Sequence, residues 1–253
     1  MCVLFIAVEQ HPDYPLIICA NRDEFHQRLT KKMHWWTEQN ILAGQDLQAG
    51  GTWLGLSRDG YFSALTNFRR PDSFDATKRS RGDLVIQALK NDIKQTQQDL
   101  LINAHKYNDF NLVFGPLNDL QAFDSVNQQF VKLDKGFHSV CNGALDDVWP
   151  KMALGLQVLE TAITNRDVDI ETLLSVLTNQ TTAEPSTLPN TGVSAILETL
   201  LSSIFITSPE YGTRSSAIIL QSTTGELCVY EYTYGKTGTI HTQDNFNFSP
   251  TVK

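Results

Sequence analysis

Apolar residues open the chain in two runs, Cys2-Val3-Leu4-Phe5-Ile6-Ala7-Val8 and Pro15-Leu16-Ile17-Ile18-Cys19-Ala20, on either side of His11-Pro12-Asp13-Tyr14. Pro followed by Asp favours a reversal, so two β-rich runs around it predict an antiparallel hairpin. With the turn centred between Pro12 and Asp13, Cys2 lies opposite Asp23 and next to Arg22, to within about one or two residues. A second hairpin pairs Trp53-Leu54-Gly55-Leu56-Ser57 with Tyr61-Phe62-Ser63-Ala64-Leu65-Thr66-Asn67 across the tight Arg58-Asp59-Gly60 turn. A helix starts near residue 81, where Leu84, Val85, Ala88, Leu89 and Ile93 follow Ser80-Arg81-Gly82-Asp83 at helical spacing. Period and turn residues predict strands at 110–115, 120–124, 129–133 and 137–141, then helices at 150–164, 168–179 and 193–202. Closing strands are expected near 215–221 and 226–233. Hairpins, then helices, then more antiparallel strands point to α+β packing, with stacked sheets and outer helices, rather than a parallel βαβ fold. No repeat, low-complexity tract or long linker divides the sequence, so residues 1–253 read as a single domain.

Composition narrows the function classes. A formal charge of −8 argues against broad nucleic-acid binding, which needs a basic face. No apolar stretch approaches the ~20 residues that cross a bilayer as a helix. The start of the chain has no basic segment and reaches Glu9 too soon for a secretory signal, so the cytoplasm is the expected compartment. Cys2, Cys19, Cys141 and Cys228 show no Cys-x-x-Cys spacing, and the scattered histidines form no zinc-like cluster. No metal site and no required cofactor are expected.

Candidate chemistry gathers around Cys2. Removal of Met1 would place a thiol and a free α-amine on one residue, and that amine, with a pKa of about 7.7–8.0, can serve as the nucleophile's base. Asn21-Arg22-Asp23-Glu24 ends the second strand beside it. A guanidinium there favours a thiolate and holds an acyl or carboxylate group, and a carboxylate orients the α-ammonium. His138-Ser139-Val140-Cys141-Asn142-Gly143 ends a strand in an Asn-Gly turn, where Asn142 is either an oxyanion donor or a plain turn residue. Arg214, in Tyr211-Gly212-Thr213-Arg214-Ser215-Ser216, begins a late strand and is either a second cation for the site or a surface residue. Gly50-Gly51-Thr52 lacks the Gly-Lys-Ser/Thr of a phosphate loop and reads as a place of close backbone approach.

Taken together, these segments resemble the NRDE family, also called the transport-and-Golgi-organisation family. Besides Met1-Cys2 and Asn21-Arg22-Asp23-Glu24, the resemblance rests on Gly50-Gly51-Thr52-Trp53-Leu54-Gly55, Leu65-Thr66-Asn67-Phe68-Arg69, Ser80-Arg81-Gly82, Phe110-Asn111-Leu112, Trp149-Pro150-Lys151 and Tyr211-Gly212-Thr213-Arg214-Ser215. The family has been connected with secretory-membrane organisation and with haem movement, which implies haem as a possible ligand. The chain is also similar to N-terminal-nucleophile hydrolases of the choloylglycine hydrolase and penicillin V acylase type. That similarity implies a four-layer αββα sandwich and hydrolysis or acyl transfer at a small amide or thioester. It casts Cys2 as nucleophile, Arg22 and Asp23 beside it, Asn142 at the oxyanion and Arg214 at a late strand, with Asn67 as a further substrate contact. In those hydrolases the arginine and aspartate are separated by a spacer, whereas Arg22 and Asp23 are adjacent, and a regular strand sends neighbours to opposite faces. Either a bulge or strand end unites them, or Glu24 takes the carboxylate's place. The alternative to catalysis is a haem-binding carrier in which arginines pair with propionates.

Overall fold

The computed structural model describes residues 2–166 and 168–251. In chain order its strands are β1 (Cys2–Val8), β2 (Leu16–Phe25), β3 (Thr30–Trp36), β4 (Ile41–Asp46), β5 (Leu54–Ser57), β6 (Tyr61–Asn67), β7 (Phe110–Pro116), β8 (Gln121–Asp124), β9 (Gln129–Lys132), β10 (Gly136–Val140), β11 (Tyr211–Gln221), β12 (Leu227–Tyr234) and β13 (Ile240–Phe248). The helices are α1 (Gly82–Ala88), α2 (Ile93–Asn103), α3 (Pro150–Thr164), α4 (Ile170–Leu177) and α5 (Ala195–Leu200). One antiparallel sheet runs β10-β1-β2-β11-β12-β13 and the other runs β3-β4-β5-β6-β7-β8-β9.

Alternation along the strands builds the layers. Leu4, Ile6, Ile18, Ala20, Ala217 and Ile219 of the first sheet meet Leu42, Leu56, Phe62, Ala64 and Val113 of the second. The opposite side chains of the first sheet, including Val3, Phe5, Ile17, Cys19 and Ile218, pack under Met152, Leu159, Leu173 and Leu177 of α3 and α4. The outer face of the second sheet, with Ile41, Leu112 and Phe114, is covered by Leu84, Val85 and Leu100 of α1 and α2. Both faces of β1 and β2 are therefore buried, which explains why they read as continuous apolar runs. Each such Leu, Ile or Phe adds about 1.5–3 kcal/mol. The result is the expected four-layer αββα sandwich.

The first hairpin pairs Cys2 with Arg22 and Val8 with Leu16. The register differs by one residue from the Cys2–Asp23 pairing because the loop is centred on Pro12, closed by Glu9 N–H donating to the Pro15 carbonyl at 2.7 Å. Two strands near the start and one at the end, β3, β4 and β13, were not apparent from the sequence pattern. Two of them, β3 and β13, are sheet edges; β3 carries Lys31, Lys32 and His34, and β13 is half exposed along its length. Polar edge strands resist further pairing, and the same polarity hides them from a hydrophobicity pattern. The helical pattern from residue 82 divides in two, because Asp92 leaves the helix and its carboxylate caps Gln95 N–H at 2.8 Å.

A cross-sheet clamp fixes the end of the sandwich where β1 begins. The Cys141 carbonyl accepts from the Thr66 hydroxyl and from Asn111 Nδ2 at 3.1 Å, and the Asn142 carbonyl accepts from Arg69 N–H at 2.7 Å. The turn leaving β10 is thereby tied to β6 and β7.

Candidate active site

A cleft of about 350 Å3 opens at this end, within the size range of small-molecule sites. Cys2, Arg22 and Glu24 line it from the first sheet, and Thr30, Gly44, Asp46 and Asn67 from the second. Loop residues Thr52, Trp53 and Arg81 close it. Cys2 is the first residue of β1 and only 7 % exposed. Its sulfur accepts a hydrogen bond from the Asp23 backbone N–H. Burial pushes the Cys2 thiol up to about 11; the nearby Asp23 carboxylate adds to the rise, while the Arg22 guanidinium opposes it. The resting group is therefore a thiol at neutral pH.

Arg22 shares the inter-sheet face with Cys2, two residues beyond Ala20 of the core. Its Nη1 donates to Thr30 Oγ1 at 3.3 Å, and its Nη2 lies 3.8 Å from Glu24 Oε2. Asp23 alternates to the helix side with Asn21 and is 1 % exposed. There it accepts from Thr213 Oγ1 at 2.7 Å, and burial holds its carboxyl above the usual range against the pull of Lys151 and Arg22. A bulge makes that contact. Thr213 pairs with Asp23 and Ser215 with Arg22, leaving Arg214 as the extra residue. The adjacency of Arg22 and Asp23 is accommodated at the strand end: opposite side-chain faces, one cleft, with Glu24 on Arg22's side and the Asp23 backbone at the sulfur.

The remaining sequence candidates have definite places. Asn67 lines the cleft. Asn142 is fully buried; its Nδ2 donates to the Asn67 carbonyl at 2.9 Å and its Oδ1 accepts from Cys141 Sγ at 3.2 Å. Asn142 lies just past β10, whose pairing with β1 ends at Leu4–Val140, and it does not line the cleft. Arg214 does not line the cleft; its Nη1 donates to the Phe25, His26 and Arg28 carbonyls at 3.0, 3.2 and 3.3 Å, closing the turn after β2.

Two cations near Cys2 and Asp23 carried no role in the sequence reading. Arg81, in the segment expected only to start a helix, lines the cleft, and its charge is coupled to Cys2. Lys151, 2 % exposed, donates from Nζ to the Leu201 carbonyl at 3.0 Å and stands near Asp23. The paired glycines were the available signal: a Cβ on Gly51 would sit 2.7 Å from the Gly82 carbonyl carbon, so these glycines bring the Arg81 segment onto the cleft wall.

The family model described as "Transport and Golgi organisation 2" matches residues 1–236. The chain belongs to this family. Relatives include the Transport and Golgi organization protein 2 homologs of Bos taurus and Homo sapiens, each 31 % identical over 91 % of the chain and 92 % of theirs. Among solved structures, a cysteine-to-alanine variant of the conjugated bile acid hydrolase from Clostridium perfringens aligns over 100 % of the chain and 98 % of its own, with TM-score 0.55 at 10 % identity. An arginine-to-leucine variant of the same hydrolase gives 0.51 at 10 % identity with the same coverage. The fold is thus N-terminal-nucleophile hydrolase-like. Among the described residues, no helix is long and apolar enough to cross a membrane.

Proposed function

We propose that the chain is a cysteine N-terminal-nucleophile hydrolase or acyl transferase, acting on a small amide or thioester after removal of Met1. The observation that carries this reading is Cys2 at the wall of a cleft, paired across the hairpin with Arg22, its sulfur on the Asp23 N–H. The hydrolase-like fold supports it.

A buried thiol favours attack coupled to proton transfer over a standing thiolate, since burial is what raises the Cys2 thiol. The α-amine takes the thiol proton as sulfur bonds to the carbonyl carbon. The carbonyl electrons move to oxygen, where Asn67 is a side-chain amide lining the cleft and Asn142, its Nδ2 given to the Asn67 carbonyl, supports it; one good donor contributes roughly 2.7–4 kcal/mol. Collapse of this intermediate breaks the carbonyl–nitrogen or carbonyl–sulfur bond, and the ammonium returns its proton to the leaving group. Water then cleaves the acyl-cysteine, or an acceptor amine takes the acyl group. Asp23 would orient the ammonium and Arg22 would hold the acyl side.

A haem carrier is the competing reading. Among the described residues lining the cleft, Cys2 is the one side chain of the usual axial types, since His, Met and Tyr are absent there. Cations such as Arg22 suit propionates, but polar and charged groups together dominate the lining and offer little apolar wall to a macrocycle. The residues fit a haem poorly. The deciding experiment is intact-mass analysis of the Met1-free protein incubated with short-chain thioesters and anilides. An acyl adduct on Cys2 and release of the leaving group are expected, with both lost in Cys2→Ala. A folded, Met1-free protein giving neither adduct nor turnover would overturn the proposal.

A further inference from the structure

The cations of the cleft differ in how far their charge is already answered. Arg28 donates from Nε and Nη2 to Asp46 Oδ2 at 2.8 and 2.7 Å, a charge pair complete in itself. Arg79 faces Asp83 at 3.4 Å and stacks on the Tyr107 ring, and Arg22 has Glu24 on its own face. Lys78 Nζ donates to the Tyr107 carbonyl at 3.2 Å with no carboxylate in ion-pair contact among the described residues, and Arg81, whose charge is coupled to Cys2, is likewise held by backbone alone. Its Nη1 donates to the Asp109 carbonyl at 2.9 Å, a backbone contact that fixes position without neutralising charge. No described carboxylate lies within ion-pair distance of it; Asp109 itself is paired with Arg70 at 3.2 Å. A guanidinium has five N–H donors, so most of Arg81's capacity is open to the cleft it shares with Cys2.

The backbone around Arg81 is tightly seated. Gly51 and Gly82 pack back to back, and a Cβ on Gly82 would come within 3.0 Å of both Thr52 N and Thr52 O. Two glycines and one carbonyl hold a partly desolvated cation, without a carboxylate in ion-pair contact among the described residues, beside the candidate nucleophile. Burial presses the Arg81 pKa down, and the more distant Glu24 and Asp109 charges only partly oppose it.

We infer that Arg81 forms an anion subsite beside Cys2, so that the substrate carries a carboxylate or phosphate group close to the bond under attack. The inference rests on the cleft being the substrate site of Cys2, but its test does not require turnover. Iodoacetate and iodoacetamide alkylate a thiol by the same displacement of iodide and differ in charge. Their rates at Cys2 are measured peptide by peptide, with the partly exposed Cys228 as internal reference.

The anionic reagent should be favoured at Cys2 over Cys228 in the wild type. Arg81→Gln keeps a donor for the Asp109 carbonyl but removes the charge, and should erase that preference, a change of about ten- to hundredfold. Arg81→Lys should keep part of it. An unchanged ratio in folded Arg81→Gln would overturn the subsite. Should that variant fail to fold, acetate and inorganic phosphate are tested on the wild type. Slower iodoacetamide labelling of Cys2 with either supports the subsite, and protection by neither overturns it. A catalytically silent protein that still shows the charge preference separates failure of the hydrolase reading from failure of this one.

Discussion

Replacing Glu231 by Gln should flatten the dependence of stability on pH. Glu231 points from β12 into the space between the sheets and is 4 % exposed. Its Oε2 accepts the Met33 N–H at 2.6 Å, a donor in the irregular stretch of β3 between Lys31 and His34. Burial raises its carboxyl from an ordinary 4.5 to about 7; Asp244 adds to the rise, while the Met33 N–H, Lys32 and Arg22 act against it. Between those two values the unfolded chain has released the proton and the native state still holds it. Native protein therefore binds more protons, and stability falls as pH rises. The contribution is whole below 4.5, drains away through about 7 and is flat above that. At 1.36 kcal/mol per pH unit, the loss from pH 5 to 8 is about 2–3 kcal/mol. The assay is urea unfolding of wild type and Glu231→Gln at both pH values. Subtracting the two pH differences removes groups common to both proteins, along with any fixed cost of the amide. The wild type should lose about 2–3 kcal/mol more than the variant; parallel pH dependences would refute the reasoning.

Asn21→Ala should destabilise by roughly 3–5 kcal/mol, at about 1–3 kcal/mol for each stranded buried group; the side chain bonds the Leu177 and Ile204 carbonyls and the Ser216 hydroxyl at 2.7, 3.0 and 2.6 Å, and thermal melts would read the loss. Gly155→Ala drives a Cβ to 2.1 Å from Cζ of Phe5, so α3 must lift from β1, at an overpacking cost of about 1–3 kcal/mol or more by urea titration. Alkylation of Cys2 in Met1-bearing protein should rise with pH without levelling near 9, as a thiol held up to about 11 requires, and Arg22→Ala should slow it further at each pH. A plateau near 9 would contradict the burial argument.

Legibility followed burial. Strands β1 and β2 are apolar on both faces, so the hairpin, and with it the nearness of Cys2 to Arg22, could be read almost to the residue. The two-sheet sandwich followed from the order of elements. Of the four sheet edges, β9 and β10 were legible, whereas β3 and β13 were not, because they carry polar residues where a half-wet strand and a loop look alike. Arg81 was hidden for another reason. Its place in the cleft depends on Gly51 meeting Gly82 across thirty-one positions of sequence, a contact no local pattern encodes. Arg214 stood in a recognisable segment, but only the bulged pairing shows its side chain turning to the Phe25, His26 and Arg28 carbonyls.

That bulge gives the strand one residue more than its pairing uses. Because Arg214 is the unmatched residue, deleting it would close the bulge into a regular ladder and leave Thr213 opposite Asp23, on the face it already occupies. Arg214→Ala, by contrast, gives up carbonyl contacts and leaves the count intact. In deletion scanning, loss of residue 214 should therefore cost little more than Arg214→Ala, the reverse of a deletion inside a regular strand, where every later side chain changes face.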